Sequence, residues 1–513
     1  MSVIEGKADA PAVAHGQEGA LARRALGATE LVFFIVASAA PLAVIAGGVA
    51  VGYLVSGNRG LPFLFVPLGL ALVIFAIGYA AMSRHVADAG AFYTYAVRGL
   101  GRIPGVAIAF VALTTYSCIQ WGLYGLFGLA AGAFAAEKLS LNAEWYVWAA
   151  SAWAVIAVLG LLKINLNARV LALILSIEVL VVLIYDLAIA AEPGPQGLSS
   201  IGFSPSVATG SALGAALILC IASFVGFEAG AIYSEEVKDP KRTVGKATLI
   251  AVVSIAVFYA LSSWMLANSV GPDTIVNPVK LVEGGFTAAD GKTPDPTTIL
   301  YITGTSRLGA FWGDVMSLLF ATSVFAALLS FHNSVARYIF ALGRERVLPN
   351  VLSRTNRLGS PYMGSLLQSA SALVVVGWFV LTNKDPALEL FNWLVNLGAV
   401  GVLLMIAVTS LSVLAFFMRN PDREWGVWRT IVAPAVSSVI FFVVLVLGVS
   451  NFNVLITGSL EAPTETMTIV LLAILFGSAV VGLAVGLAMR QFAPERYARI
   501  GQRTEVEIEE HVE

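Results

Sequence analysis

Charged residues are scarce in this sequence. Asp, Glu, Lys and Arg together make up 12% of the 513 residues, whereas hydrophobic residues make up 58%. Soluble proteins carry about 25% charged residues on average, so this composition excludes an ordinary soluble domain. The 30 basic and 32 acidic residues leave a net charge of -2, which provides no basic surface for a nucleic acid. We therefore expect an integral membrane protein surrounded by a lipid bilayer, with no nucleic-acid partner.

Cysteine and histidine are also rare. The two cysteines, Cys118 and Cys220, stand in apolar runs and could form one disulfide at most, and the four histidines are scattered along the chain. This pattern excludes a disulfide framework and a Cys-rich zinc site, and we expect neither a cofactor nor a bound metal. Residues 1–28 contain no apolar run preceded by basic residues, so we expect a disordered tail and no cleavable signal peptide.

What the sequence does contain is a series of long apolar windows. About 20 apolar residues in a helix are enough to cross the hydrocarbon core of a bilayer. The windows are apolar on every face, which favours helices over the alternating strands of a barrel. We predict an all-α integral membrane protein with twelve transmembrane helices, at residues 29–55, 61–83, 103–136, 145–163, 168–191, 211–233, 246–270, 308–343, 362–382, 388–418, 430–450 and 466–490.

The basic residues divide unequally between the two sides of these spans. Lys and Arg near the ends of spans are retained on the cytoplasmic side. With a cytoplasmic amino terminus, all basic residues fall inside except Arg59, Lys138, Lys280, Lys292, Arg307 and Lys384. This count predicts a multi-pass protein of the cell membrane with both termini in the cytoplasm, the second tail being residues 491–513.

Two spans are interrupted at their middle. Span 1 contains Pro41, which lacks an amide hydrogen, followed by the pair Gly47 and Gly48, and span 6 has Gly226 and Gly230 on either side of a carboxylate. Interrupted spans at corresponding positions of two halves indicate a transporter site, because freed backbone groups can bind a solute. The long connections 84–102 and 271–304 also occupy equivalent positions in the two halves. We predict a 5+5 inverted repeat of residues 29–191 and 211–418, with spans 11 and 12 at 430–490 outside it.

Several sequence blocks resemble the amino acid, polyamine and organocation (APC) transporter superfamily. The blocks are GFEA at 226–229 with EEVKDPKRT at 235–243, FHNSVARY at 331–338 with ALGRERVLP at 341–349, and AGAFYTY at 89–95 with GLG at 99–101. The resemblance covers roughly residues 25–490. It implies a LeuT-like fold, with helices 1 and 6 broken, and secondary active transport of an amino acid or amine. Family members selective for amino acids have a Gly-Ser-Gly break in span 1, whereas this chain has Ala39-Ala40-Pro41-Leu42, which leaves recognition of a substrate carboxylate open.

Candidate substrate-binding residues lie at the two interruptions and on the spans expected to surround them. Small residues at the span 1 break can expose amides to an anionic group, and the polar residues of spans 3, 8 and 10 can either line the pocket or join helices through hydrogen bonds. Phe224 and Phe227 could close the pocket or simply pack. The candidates are Ser38, Ala39, Ala40, Pro41, Ala43, Tyr116, Gln120, Ser223, Phe224, Gly226, Phe227, Ser323, Asn392 and Asn396.

Two carboxylates within spans are candidates for proton coupling. Glu178 lies in span 5, where some relatives place a lysine, and Glu228 directly follows the span 6 break. A carboxylate inside a membrane either binds a cation or takes up a proton, although Glu178 could equally be a hydrogen-bonded structural group. Glu235 and Glu236 are candidates for cytoplasmic gating or solvated ion pairs. We expect Asp186 to be exposed near the end of span 5.

We therefore expect a secondary transporter that imports a small amino acid or amine, with a proton as the coupling ion. Sodium remains open, because Thr322 or Ser323 could supply hydroxyl ligands. An exchanger or a polyamine importer is an alternative within the same fold. A membrane enzyme is disfavoured because the sequence offers no reactive constellation, and a nutrient receptor would need a sensory domain that the short tails do not provide.

Overall fold

A computed structural model describes residues 27–83, 85, 92–162, 168–210, 212–228, 237, 240–288, 290–421 and 426–501. The described chain is almost entirely helical. We number its helices of at least six residues α1 to α18, joining segments that continue without a break. The first nine are α1 Ala28–Ser38, α2 Pro41–Ser56, α3 Leu61–Ser83, α4 Phe92–Leu100, α5 Arg102–Leu139, α6 Trp145–Leu161, α7 Ala168–Ala191, α8 Leu213–Phe224 and α9 Pro240–Val270. The others are α10 Pro278–Glu283, α11 Ile299–Leu308, α12 Ala310–Arg344, α13 Tyr362–Leu381, α14 Pro386–Arg419, α15 Trp428–Ser450, α16 Phe452–Thr457, α17 Thr466–Phe492 and α18 Pro494–Arg499.

Eight helices are long and apolar enough to cross a membrane by length and composition: α3, α5, α9, α12, α13, α14, α15 and α17, with α9 counted from Thr243. The apolar helices α2, α6 and α8 are shorter, and α7 begins beside residues outside the described chain. Each of the twelve predicted windows contains helix within its described residues, so the prediction of a helical multi-pass membrane protein is confirmed. The number of crossings and the inverted repeat stay predictions.

The helices pack through small residues at close approaches. A Cβ atom added to Gly69 of α3 would overlap the Cβ of Ala256 on α9, and one added to Gly245 of α9 would overlap Ala80 of α3. Membrane helices gain van der Waals contact when small residues let their backbones approach. The pair α3 and α9, which correspond to predicted spans 2 and 7, therefore forms a tight seam.

Apolar side chains on the outer helices face away from the protein. Val480 of α17 and Val439 of α15 are 64% and 65% exposed, respectively. Such exposure of large apolar side chains along whole helices marks a surface that contacts lipid. The predicted spans 11 and 12 thus lie at the periphery of the bundle.

The chain returns to the bundle after the last long helix. Ile500 is buried, and Arg102 at the start of α5 donates to the backbone oxygens of Ile500 at 3.2 Å and Ala498 at 2.9 Å. The Gly501 amide donates to Glu345, which also accepts from the Tyr93 hydroxyl. The part of the predicted second tail up to residue 501 is therefore docked against α4, α5 and the end of α12. Residues 1–26 of the predicted first tail lie outside the described chain.

Candidate functional site

The predicted interruption of span 1 is confirmed between α1 and α2. Ala40 adopts a left-handed backbone conformation with φ 45° and ψ 67°, and Pro41 begins α2 without an amide hydrogen. The break frees backbone groups that neighbouring helices contact. The Tyr259 hydroxyl on α9 donates to the oxygen of Ala39 at 3.1 Å, and the Ala43 amide donates to Ser323 Oγ on α12 at 3.4 Å.

The predicted interruption of span 6 is confirmed at the end of α8. The helix ends at Phe224, and Gly226 has φ 109°, in a region that favours glycine. The amide of Phe227 donates to the oxygen of Phe224, and the amide of Gly226 donates to Oε2 of Glu228 at 3.0 Å. The gating candidates Glu235 and Glu236 lie outside the described residues.

A cavity lies between the two breaks. Its volume is about 60 Å³, several times the roughly 10–15 Å³ that one buried water needs. Six of the predicted site residues line it: Ala39, Ala40, Ala43, Ser223, Asn392 and Asn396.

The other lining residues are apolar and were not predicted. Ile119, Leu123 and Leu126 of α5 follow the spacing of one helical face, which is the signal by which the sequence could have identified them. The remaining ones are Val44, Gly48, Val51, Leu219, Ala222, Val225, Ala327, Phe331, Phe391 and Val395. Among the described residues that line the cavity, none carries a charge.

Two asparagines of α14 form the polar wall of the cavity. Asn392 Nδ2 donates to the oxygen of Leu455 on α16 at 2.5 Å, and Asn396 Nδ2 donates to Asn392 Oδ1 at 2.8 Å. Asn396 Oδ1 has no hydrogen-bond partner in the described part of the chain. The third polar side chain of the lining, Ser223, donates to the oxygen of Leu219 in its own helix.

Glu178 contacts the span 1 break through one serine. Its side chain is 3% exposed, and its Oε2 accepts from Ser323 Oγ at 2.8 Å. Because the same Ser323 oxygen accepts from the Ala43 amide, the carboxyl of α7 is connected to the first turn of α2. Ser323 thus contacts Ala43, which lines the cavity, but is not itself among the described lining residues. Thr322, the other hydroxyl considered for sodium, instead donates to the oxygen of Leu319 in its own helix.

Glu228 lies in a second buried polar cluster. One of its oxygens accepts from Gly226, and the other has no hydrogen-bond partner within the described chain. The buried hydroxyls of Tyr116, Tyr338 and Tyr79 lie around this carboxyl. Tyr116 therefore faces Glu228 and is not among the described residues that line the cavity.

The remaining predicted residues pack or form hydrogen bonds elsewhere. Gln120 contacts His332 at 3.3 Å and accepts from Gln368 at 2.5 Å, in a buried network between α5, α12 and α13. Phe224 packs on Tyr259, with ring centroids 6.1 Å apart, and Phe227 packs edge-on against the ring of Phe75 on α3. The placement of the Ser38 side chain is not described, and Pro41 is buried beside the cavity wall.

Comparison with known proteins gives a consistent result. The amino acid permease family matches residues 30–495. The low-affinity putrescine importer PlaP of Escherichia coli (strain K12) is 25% identical over 363 residues, 69% of this chain and 73% of PlaP. The branched-chain amino acid permease BcaP of Bacillus subtilis (strain 168) is 24% identical over 394 residues, 72% of this chain and 76% of BcaP.

Solved structures share the fold. The manganese transporter of Eremococcus coleocola superposes with a TM-score of 0.53 at 14% identity, covering 92% of this chain and 97% of the transporter. At this identity the likeness concerns the arrangement of the helices alone. It agrees with the LeuT-like fold implied by the sequence blocks.

Proposed function

This chain belongs to the amino acid permease family, and on that premise we propose that it imports a small amino acid across the cell membrane by proton-coupled alternating access. Transport of amino acids or amines is the activity of its relatives, and permeases are not enzymes. The cavity between the broken helices carries the proposal, because residues of the span 1 break, of α2 and of the end of α8 line one space.

The broken helices offer opposite partial charges to a zwitterion. The first turn of α2 presents the positive end of the helix dipole, which favours a carboxylate, and its Ala43 amide is engaged by Ser323. The end of α8 presents the negative end of that helix's dipole, which favours an ammonium group, and the oxygens of Ala222 and Phe224 there accept from the amides of Val225 and Phe227. Pro41 removes one amide, so this site has fewer donors than a glycine-rich break would offer.

The lining favours an apolar side chain on the substrate. Aliphatic residues of α5 and the rings of Phe331 and Phe391 surround the space, and no described lining residue could pair with a second ammonium group. A diamine would leave one charge unpaired in this cavity, which is costly. We therefore favour a neutral apolar amino acid, the kind of substrate named for BcaP.

A polyamine or organic-cation importer is the second candidate, and one observation favours it. Glu228 is buried close to the end of α8, so its carboxylate could bind an amine that reaches past the cavity. PlaP is named as a putrescine importer. Exchange of two amino acids stays compatible with the same site.

The contact of Glu178 with the span 1 break supports a proton as the coupling ion. The carboxyl has no basic partner among the described residues and a single serine donor, so protonation would stabilise it in a membrane. Loss of that proton would change the contact of Ser323 with the Ala43 amide, at the helix end where substrate binds. Sodium is less favoured because Ser323 is already engaged by Glu178.

Ligand screening followed by flux in proteoliposomes tests the proposal. Leucine and putrescine are added separately to the purified protein, and its melting temperature is measured. A ligand at 100 times its Kd raises the free energy of unfolding by about 2.7 kcal/mol, so binding is detectable in this way. We expect leucine to raise the melting temperature and to enter sodium-free vesicles when the outside is acidic. Stabilisation by putrescine alone would support the second candidate, and binding without any flux would support a nutrient receptor.

A further inference from the structure

Asp186 is a second buried carboxyl on α7. We expected this residue to be exposed near the end of span 5, but its side chain is only 8% exposed, because α9 packs against that face of α7. Ser262 Oγ of α9 donates to Asp186 Oδ2 at 2.6 Å. Asp186 Oδ1 is buried and has no hydrogen-bond partner in the described chain.

The arrangement repeats that of Glu178. The two carboxyls stand eight residues apart on the buried side of α7, so they lie about 12 Å apart along the helix axis. Each accepts a hydrogen bond from one serine of a neighbouring helix, Ser323 of α12 for Glu178 and Ser262 of α9 for Asp186.

Titratable groups on the helices that pack against α7 are engaged elsewhere. On α2, the Tyr53 hydroxyl donates to the oxygen of Ser263, and on α9 the Tyr259 hydroxyl donates to the oxygen of Ala39. The Tyr185 hydroxyl is bonded to Thr303 of α11.

Charged groups on α11 and α12 also have other partners. Arg307 of α11 donates to the backbone oxygens of Glu192 and Ser269. Asp314 of α12 pairs with Lys138 at 2.5 Å. Within the described residues, Asp186 therefore has no cation to balance a negative charge.

We propose that Asp186 is a second proton-binding site, which keeps its proton while α7 and α9 are packed together through Ser262 and releases it to water when the two helices separate. An ionised carboxylate at this buried position would have one donor for two oxygens, whereas the protonated group needs fewer donors. Proton release is thereby tied to a helix movement. The role of this site in transport rests on the proposed proton-coupled function, but its occupancy by a proton does not.

Infrared spectroscopy of the full chain in phosphatidylcholine vesicles tests the site directly. A protonated carboxyl has a C=O stretching band distinct from that of a carboxylate. At neutral pH we expect Asp186→Asn to lose one such band and Glu178→Gln to lose a different one. Asp314→Asn is the matched control, and its spectrum in this region should equal that of the wild type because Asp314 is ion-paired.

A second variant keeps the test decisive if Asp186→Asn fails to fold. Ser262→Ala retains the carboxyl and removes its donor, so the Asp186 band should move to higher frequency. Unchanged protonated-carboxyl bands in the variant that folds would overturn the proposal. Uptake is measured on the same vesicles. A protonated-carboxyl band of Asp186 without any uptake would reject the proposed transport function but not the proton site. Proton-driven uptake without an Asp186 band would reject the proton site but not the transport function.

Discussion

Ala40 holds the chain at the span 1 break in a conformation that L-residues other than glycine rarely adopt. A residue with a Cβ in the left-handed region is destabilised by about 1–2 kcal/mol. The neighbouring Pro41 fixes the start of α2, so the strain stays at one residue. The two adjacent alanines therefore should respond in opposite ways to the same substitution.

Ala40→Gly should raise the free energy of unfolding by about 0.4–1 kcal/mol, because glycine accepts a positive φ without strain. Ala39→Gly is the matched control and should lower it by a similar amount, because Ala39 has an ordinary φ. Both are measured by thermal unfolding of the purified protein. Equal destabilisation by the two variants would contradict the strained conformation at residue 40.

Glu178→Gln should abolish the dependence of uptake on an imposed pH gradient. Glutamine keeps the size and the contact with Ser323 but binds no proton. Coupling between two sites usually changes the affinity of one of them by a factor of roughly 5 to 150. We therefore expect uptake driven by the pH gradient to fall by a factor of about that size. Exchange measured at equal pH on both sides of the membrane should persist. Asp314→Asn, which removes an ion-paired carboxyl of α12, is the control and should retain a pH-dependent uptake. Full pH dependence in Glu178→Gln would rule out this residue as the coupling group.

Residue identities were easier to predict than their contacts. The sequence indicated Glu178 and Ser323 separately, but their hydrogen bond depends on the rotation of α7 and α12, which apolar windows do not determine. Tyr116 was expected in the pocket and lies against Glu228 for the same reason. The apolar lining of α5 was missed because the spacing of Ile119, Leu123 and Leu126 predicts one helical face, but not whether that face meets a cavity or another helix.

At the scale of helices, the interruptions were the most predictable features. Proline removes a helix hydrogen bond and glycine tolerates a positive φ, so both act locally wherever the helix is placed. The short helices within the connections 84–102 and 271–304 were not predicted, because α4 and α10 are too short to produce an apolar window.

The seam between α3 and α9 should not tolerate added volume. Gly245→Ala places a methyl group into Ala80, so we expect a loss of about 1–3 kcal/mol of stability from overpacking. Gly377→Ala in α13 is the matched control: no atom lies within 4 Å of its added methyl group, and alanine favours the helix by up to about 1 kcal/mol. The melting temperature should therefore fall for Gly245→Ala and rise for Gly377→Ala. A fall in both variants would argue against a specific seam between α3 and α9.

The docked end of the chain should loosen when its buried side chain is replaced. Ile500 is 1% exposed, and burial of an isoleucine contributes about 1.5–3 kcal/mol. Ile500→Ser should therefore speed amide hydrogen exchange in residues 494–501, whereas Arg499→Ser, at an exposed neighbouring position, should not. Slow exchange in both variants would mean that Arg102 alone holds this segment.

At the scale of the whole molecule, composition and the broken helices sufficed to indicate the architecture. Low charge and long apolar windows excluded a soluble protein, and the apolar outer faces of α15 and α17 agree with lipid contact. Orientation in the membrane stays a prediction, because it depends on the distribution of basic residues and not on the packing of the helices.

The buried cysteines provide a low background for testing this orientation. Cys118 and Cys220 are both buried, so a membrane-impermeant maleimide should leave the wild type unlabelled. Lys280→Cys should be labelled in intact cells, and Arg357→Cys should be labelled only after permeabilisation, since both positions are exposed on predicted opposite sides. The reverse pattern would invert the proposed topology.

The contact between Arg102 and Ile500 joins residues 398 positions apart in the chain. A ribosome finishes Arg102 long before it reaches Ile500, so this contact forms only after the helices between them have been made. Until then the start of α5 lacks its partner and Glu345 lacks the Gly501 amide. The assembly of this corner of the bundle is therefore postponed until the intervening helices are in place.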